Sequence, residues 1–189
     1  MSPDISKSEV EKDLSGKGEF VQMDHLNRFL KKNPPLDVKK FIYLNLAEIY
    51  SKKSMFGEAA KTYNNLAINS ITFTDKIKYH VKEAEYYIKA GEYTQSDEAV
   101  KKAITEANAT ERNEIHLSIR ELYKRQAEAY ERELRRNNAI KVYEKLISMN
   151  ISSAEKDEIK NKLLKLYEKI GKFNEYNALK GADFSTKRY

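Results

Sequence analysis

The side chains that most often bind metals or carry catalysis are few in this chain and far apart. Its three histidines are His25, His80 and His116, and none of them lies in an HxxxH or HExxH spacing. The chain has no cysteine, which excludes thiol chemistry, disulfides and the usual ligands of a structural zinc site. We therefore predict that the protein binds no metal ion.

The glycines supply no nucleotide-binding or hydrolase motif. Gly16 and Gly18 lie in the segment SGKGEF, which lacks the GxxxxGKS or GxxxxGKT arrangement that cradles phosphates. A GxSxG nucleophile motif is also missing from the sequence. Carboxylates are plentiful, but on polar helix faces they are usually solvated and titrate normally. We predict that the protein is not an enzyme and uses no cofactor.

The composition favours an all-α fold with a strongly solvated surface. Glycine and proline number only 6 and 3, so helix breakers are rare. Hydrophobic residues make up 40% and charged residues 34% of the chain. Acidic and basic residues alternate along most of it, a pattern typical of solvated helix faces with pairs four residues apart. We expect long helices joined by short turns.

The N-terminal region and the apolar runs predict where the protein is located. The first twenty residues contain no apolar core of signal-peptide length. No apolar run approaches the ~20 residues that a membrane-spanning helix needs. We predict a cytoplasmic protein without a membrane span, present as a monomer or a small homo-oligomer.

Apolar residues recur every three or four positions in paired runs, which predicts helical hairpins. Lys89-Ala90-Gly91 and Gly171-Lys172-Phe173 are the predicted turns of two of them, since glycine commonly ends helices. We predict a single domain over residues 1–181 and a disordered tail over 182–189. The predicted hairpins lie at about 5–33, 41–68, 77–105, 111–148 and 157–179.

Local patterns predict several helix ends. Glu111–Arg136 contains no breaker and should be the longest helix, about 39 Å at 1.5 Å per residue, with its turn at Asn137-Asn138. Leu134 belongs to the predicted apolar stripe of that helix, as Phe20 does to that of an earlier one. Two helix caps are also predicted: Thr74 or Asp75 before the helix that contains Ala84, and Ser152-Ser153, followed by Glu155, before a later one.

A common register relates the hairpins. In the first helices a small or aliphatic residue precedes a tyrosine by three positions, in the pairs Ala47 and Tyr50, Ala84 and Tyr87, Ala127 and Tyr130, and Leu164 and Tyr167. These units are 37, 43 and 37 residues apart. In the second helices the corresponding pairs, four positions apart, are Ala59 and Tyr63, Ser96 and Val100, and Ala139 and Tyr143. Small residues at fixed positions predict close contact between the two helices of each hairpin.

This register resembles the tetratricopeptide repeat, whose period is 34 residues. The periods here are longer, and residues 127–146 are similar to helical pairs of the long-period alpha-SNAP-type adaptors. The resemblance implies a right-handed α-α superhelix of four to five antiparallel hairpins. It also implies a non-catalytic scaffold or adaptor that binds a peptide or helical segment of another protein.

In that family the ligand lies in a concave groove lined by the first helix of each hairpin. Transferred to this chain, the groove residues are Phe41, Leu44, Glu48, Lys52, Lys78, Val81, Glu85, Lys89, Glu121, Lys124, Glu128 and Arg132, with Asn161, Lys165 and Lys169 from the last hairpin. The charges in this set are mixed. They do not match the lysines and asparagines with which some members clamp a carboxylate, so we expect a partner of both signs or an apolar segment.

The tyrosines and the basic C-terminal part leave an alternative open. Thirteen tyrosines could stack on nucleic-acid bases, but seven of them occupy the buried register and are predicted to be core: Tyr50, Tyr63, Tyr87, Tyr123, Tyr130, Tyr143 and Tyr167. The pI is about 9.2, and the last unit is rich in lysine, namely Lys160, Lys162, Lys165, Lys169 and Lys172. An RNA-binding helical repeat is therefore the alternative function.

Overall fold

A computed structural model describes residues 5–181, and within that range every regular element is an α-helix. The ten helices are α1 (Lys7–Leu14), α2 (Glu19–Lys31), α3 (Leu36–Lys52), α4 (Phe56–Ile68), α5 (Phe73–Ala90), α6 (Tyr93–Glu106), α7 (Ala109–Arg132), α8 (Arg136–Ile147), α9 (Ser153–Ile170) and α10 (Phe173–Gly181). The all-α prediction is confirmed. The predicted tail, 182–189, lies outside the described residues, and the right-handed superhelix stays a prediction.

The chain divides into two compact units, the first ending at His116 and the second beginning at Leu117. Unit 1 contains α1 to α6, and unit 2 contains α8 to α10 together with most of α7. In unit 1 each of α3, α4 and α5 packs on the helix that follows it. In unit 2, α8 packs on α9 and α9 on α10.

The core of unit 1 begins where α1 and α2 pack against α3. Its fully covered side chains include Val10 of α1, Leu26 of α2 and Ile42 of α3. Two smaller clusters continue the core between α4 and α5, around Ala60 and Leu66. Each helix therefore buries one apolar stripe and leaves its polar face in water, as the periodicity of the sequence indicates.

Within unit 1, α3 and α5 run side by side in the same direction. Near their N-termini the Lys40 ammonium lies 2.8 Å from the Asp75 carboxylate, and near their C-termini the Tyr86 hydroxyl lies 2.9 Å from the Ser51 hydroxyl. Both pairs are 35 residues apart in sequence. A constant offset along two helices means that they are parallel.

Four hairpins share one turn geometry, and the register tyrosines define it. The carbonyl oxygens of Tyr50, Tyr87, Tyr130 and Tyr167 each accept a hydrogen bond from the backbone N–H five residues later, at 2.8–2.9 Å. The residue immediately before the N–H donor has a positive φ in every case: Ser54 57°, Gly91 80°, Leu134 57° and Gly171 74°. This is the Schellman arrangement, which satisfies the last carbonyls of a helix.

The small residues of the register lie where the helices of a hairpin meet. Ala47, Ala84 and Ala127 in the first helices are completely covered, as are Ala59, Ser96 and Ala139 in the second helices. A methyl or hydroxymethyl group lets two helix backbones approach closely, whereas a larger side chain would push them apart. The small-residue register is therefore a structural feature of the hairpins.

The last hairpin departs from this register. Tyr176 of α10 occupies the position that Ala59, Ser96 and Ala139 hold in the earlier hairpins, four residues after the residue that closes the turn. A tyrosine there prevents the same close approach. Consistent with this, α10 contains no buried residue and Phe173 is 61% exposed.

Five local predictions from the sequence are wrong. The long helix ends at Arg132, because Leu134 adopts the left-handed turn conformation, and Asn137-Asn138 lies inside α8. Leu134 and Phe20 are 71% and 67% exposed, so neither belongs to an apolar core stripe. Neither Thr74 nor Asp75 caps α5. The cap is Thr72, whose hydroxyl accepts a hydrogen bond from the Asp75 backbone N–H.

The predicted cap at Ser152 is confirmed and links two helices of unit 2. Ser152 and Glu155 form a capping box at the start of α9. The same Glu155 carboxylate accepts a hydrogen bond from Lys124 of α7 at 2.7 Å. These bonds, chiefly that from Lys124 and then those from Ser152, lower the pKa of Glu155 to about 2.

Candidate functional site

Eight of the predicted groove residues lie on one surface of unit 1, which we call the α3–α5 face. It consists of Phe41, Leu44, Glu48 and Lys52 of α3 and of Lys78, Val81, Glu85 and Lys89 of α5. On each helix the four residues are three or four positions apart, so they form one stripe. None of the eight is buried, and the Lys40–Asp75 and Tyr86–Ser51 hydrogen bonds connect the two helices that carry the stripes.

The apolar part of this face centres on Leu44. Its side chain is 41% exposed, although it lies in the middle of α3, one turn after Lys40. Phe41, three residues earlier on α3, and Val81 of α5 are partly covered. An apolar side chain of another molecule could cover the exposed part of Leu44.

Ion pairs fix the charged side chains around Leu44. On α3, Lys52 lies 2.7 Å from Glu48. On α5, Glu85 accepts hydrogen bonds from Lys82 at 2.8 Å and from Lys89 at 2.7 Å. Burial acts to raise the pKa of Glu85, but the two lysines outweigh it and the pKa is lowered. Glu85 is therefore a permanent anion held between two cations.

A stack of aromatic rings supports this face from beneath. The Tyr63 and Tyr86 rings are stacked with centroids 5.3 Å apart, and the Phe56 ring lies 6.3 Å from Tyr86. Burial, with the nearby Tyr86 and Glu85 adding to it, raises the pKa of Tyr63 to about 12. Tyr86 also carries the hydroxyl that binds Ser51. Sequence reasoning missed the role of Tyr86, because this tyrosine is outside the repeat register.

The corresponding residues of unit 2 are engaged in contacts with α9. Lys124 stands three residues before Ala127, as Leu44 stands three before Ala47. The Lys124 ammonium donates a hydrogen bond to Glu155 of α9. Glu128 lies 3.8 Å from Lys162 of α9. Glu121 pairs with Lys124 at 3.3 Å, and Arg132 is exposed at the end of α7. This surface of unit 2 is therefore polar, and its charges are largely compensated within the chain.

The lysines behind the RNA alternative differ in their surroundings. Lys162 and Lys172 form ion pairs with Glu158 and Glu175, at 3.3 Å and 3.4 Å. Lys165 and Lys169 are exposed one turn apart on α9 and have no carboxylate partner in the described part of the chain. Asn161, the remaining groove residue, is also exposed. Lys165 and Lys169 are thus available to a phosphate backbone.

One buried charged cluster was not predicted. Glu83 of α5 is only 2% exposed, and its carboxylate lies 2.8 Å from His80 Nδ1 and 3.0 Å from the Lys102 ammonium of α6. Lys102 also donates to the Asn64 side chain of α4. The cluster joins three helices of unit 1. The sequence signal for this cluster was Glu83, the acidic residue just before the buried Ala84, since a carboxylate in the core needs a cationic partner.

Residues 5–181 contain no group of three or more His, Cys, Asp or Glu side chains close enough to hold a metal ion. The same part of the chain contains no helix that is both long and apolar enough to cross a membrane. No family model, curated protein or solved structure matches the sequence or the fold. The tetratricopeptide resemblance and the alpha-SNAP-type likeness therefore stay predictions.

Proposed function

We propose that the protein is a non-catalytic scaffold or adaptor of tetratricopeptide type, located in the cytoplasm. In this proposal it binds a peptide or a helical segment of another protein on the α3–α5 face. The observation that carries the proposal is the exposed Leu44, in the middle of α3 and on the same proposed face as Phe41 and Val81. An apolar side chain of the partner would cover Leu44 and release its hydration water.

The rigidity of the two helices supports this proposal. Lys40 and Ser51 of α3 are each bonded to α5, so the spacing of the two helices is fixed at both ends. The stacked Tyr63 and Tyr86 lie behind them. A binding surface that is already ordered loses little conformational entropy when a partner docks, which favours affinity.

The charges of the face add specificity to the proposed binding. Glu48 and Glu85 are each held by lysines, and Lys78 is an exposed cation without a carboxylate partner among residues 5–181. A partner segment that carries both signs can replace these intramolecular pairs with intermolecular ones. Charge pairs at a rim guide and orient a partner more than they increase its affinity.

The test is affinity capture from the native source with the wild-type protein and with Leu44→Asp. Leu117→Asp is the matched control, because Leu117 is 52% exposed and lies on a different helix, outside the α3–α5 face. We expect Leu44→Asp to lose the captured protein and Leu117→Asp to retain it. Circular dichroism should be the same for all three proteins. A photo-crosslinking residue at position 44 then identifies the segment in contact.

A charge-reversal variant provides a second capture test that does not involve Leu44. Glu85→Lys removes the anion between Lys82 and Lys89 and should weaken capture without unfolding the protein, since Glu85 is outside the buried core clusters of unit 1. Capture that is equal for wild type, Leu44→Asp and Glu85→Lys would place the binding site outside the α3–α5 face.

RNA binding is the second candidate, and the exposed pair Lys165 and Lys169 favours it. It requires retention of RNA that falls steeply with salt. We expect the double variant Lys165→Glu and Lys169→Glu to abolish any such retention. If the wild-type protein retains no RNA at ~150 mM salt, this alternative is wrong.

A further inference from the structure

A small cavity lies between α1 and α2, and none of its lining residues belongs to the α3–α5 face. Its volume is about 180 Å³, and its lining residues are Asp13, His25, Arg28, Phe29 and Lys32. The last four belong to α2 or its C-cap and lie at positions 25, 28, 29 and 32, a spacing that places them on one face of that helix. Three of these four carry a group that is, or can become, a cation.

The single carboxylate of the cavity is already compensated. One oxygen of Asp13 lies 2.9 Å from the Lys17 ammonium, and the other lies 2.5 Å from Nδ1 of His25. The hydrogen bonds from Lys17 and then from His25 lower the pKa of Asp13, so it remains an anion paired with the Lys17 ammonium. Because Nδ1–H of His25 donates to Asp13, the ring nitrogen left for a ligand is Nε2, which in the imidazolium form donates an N–H to a phosphate; the carboxylate fixes the orientation of the ring.

The other two cationic groups are mobile enough to meet a ligand. Arg28 pairs with Asp24 at 2.6 Å, but the two side chains are 68% and 56% exposed, so this pair is weak. The Lys32 ammonium lies 5.1 Å from the centre of the Phe29 ring and has no carboxylate partner among residues 5–181. Phe29 itself is buried and forms the apolar floor.

From this geometry we propose that the α1–α2 cavity binds a phosphate group. A tetrahedral oxyanion can accept hydrogen bonds from a guanidinium fork, an ammonium and an imidazole N–H at the same time. The cavity is smaller than the 300–1,000 Å³ typical of sites for drug-sized ligands, which fits a single anionic group. The phosphate is either free in solution or carried by a phosphorylated side chain of another protein, and the same three groups hold it in both cases.

The test titrates inorganic phosphate into the full chain at constant ionic strength and follows the amide and His25 imidazole signals by NMR. We expect saturable shifts confined to α1 and α2. Lys32→Glu should lower the affinity about tenfold, which corresponds to about 1.4 kcal/mol. Lys31→Glu is the matched control, because it makes the same charge change one residue away and Lys31 does not line the cavity. It should change the affinity less than twofold.

A short, otherwise neutral phosphoserine peptide, titrated beside its unphosphorylated form, distinguishes the two sources. Binding of both phosphate and the phosphopeptide supports a site that accepts a phosphorylated partner, whereas binding of phosphate alone supports a site for the free anion. Equal losses of affinity in Lys31→Glu and Lys32→Glu would overturn the proposal, since they would show general attraction to a basic surface. Shifts that do not saturate, or that lie outside α1 and α2, would overturn it as well.

Discussion

Exchanging serine and glycine between two hairpin turns is expected to change the stability of unit 1 in opposite directions. Ser54 and Gly91 occupy the same position, four residues after Tyr50 and Tyr87, with φ of 57° and 80°. The left-handed conformation costs a residue with a Cβ about 1–2 kcal/mol, and it costs glycine almost nothing. The natural chain therefore contains one strained and one relaxed copy of the same turn.

The magnitude follows from this difference. Ser54→Gly removes the strain but gives the unfolded chain more freedom, a cost of about 0.5–1 kcal/mol, so the net stabilisation is about 1 kcal/mol or slightly less. Gly91→Ser should destabilise by a similar amount. A Cβ built at Gly91 meets no atom within 4 Å, so no steric clash contributes. A change of 1 kcal/mol shifts the melting temperature of a unit of this size by about 4 °C.

The assay is urea unfolding of the full chain, followed by circular dichroism at 222 nm. The double variant should unfold like the wild type, because both turns lie in unit 1 and the two changes are opposite. Ser54→Gly alone should raise the urea midpoint. If Ser54→Gly and Gly91→Ser both lower the midpoint, the left-handed strain at Ser54 is smaller than the entropy that glycine adds to the unfolded chain, and the reasoning is refuted.

Three further predictions concern buried or coupled polar groups. Ser96 is completely covered, and its hydroxyl has no hydrogen-bond partner among the described residues. Ser96→Ala should therefore stabilise unit 1 by about 1 kcal/mol in thermal unfolding. Ala139→Ser, at the same position of the register, should destabilise unit 2. Lys102→Met leaves the buried Glu83 carboxylate without its lysine and should lower the free energy of unfolding by about 3 kcal/mol. Adding Glu83→Gln should recover part of that loss. Purely additive losses in the double-mutant cycle would show that the two groups are not coupled. The folded-state pKa of Glu155 is about 2, below its ordinary value of 4.5, so its stabilising effect is complete above pH 4.5 and is lost as the pH falls toward 2. The difference in unfolding free energy between wild type and Glu155→Gln should therefore be larger at pH 6 than at pH 3, and a difference independent of pH would contradict this.

The buried part of the fold was predictable because it repeats. Ala84 and Tyr87 could be aligned with their counterparts in the other hairpins, and in the structure the register alanines are covered and the register tyrosines close the turns. The turn at Leu134 was not predictable in this way, since leucine rarely adopts a positive φ and the neighbouring Asn137-Asn138 carries a stronger turn signal. Only the register, which places residue 134 four positions after Tyr130, could have located it.

The candidate sites were predictable only in part, because they depend on side chains that no repeat constrains. The resemblance placed Leu44 on the binding face, and it is indeed exposed. Nothing in the sequence indicated that Asp13 and His25 lie 2.5 Å apart, since they are on different helices and twelve residues from each other. Contacts between helices of this kind depend on how the two helices are packed, and periodicity within one helix does not report that packing.

The two units show how one position of the register can serve either binding or structure. Leu44 and Lys124 each stand three residues before a buried alanine of a first helix. Lys124 bonds to Glu155 of the neighbouring helix at 2.7 Å, and this charge pair closes the surface between α7 and α9. Leu44 has no polar group with which to make such a bond, and its side chain remains 41% exposed. If partner binding on unit 1 depends on this difference, Leu44→Lys should weaken it as Leu44→Asp does, because a charge of either sign removes the apolar contact.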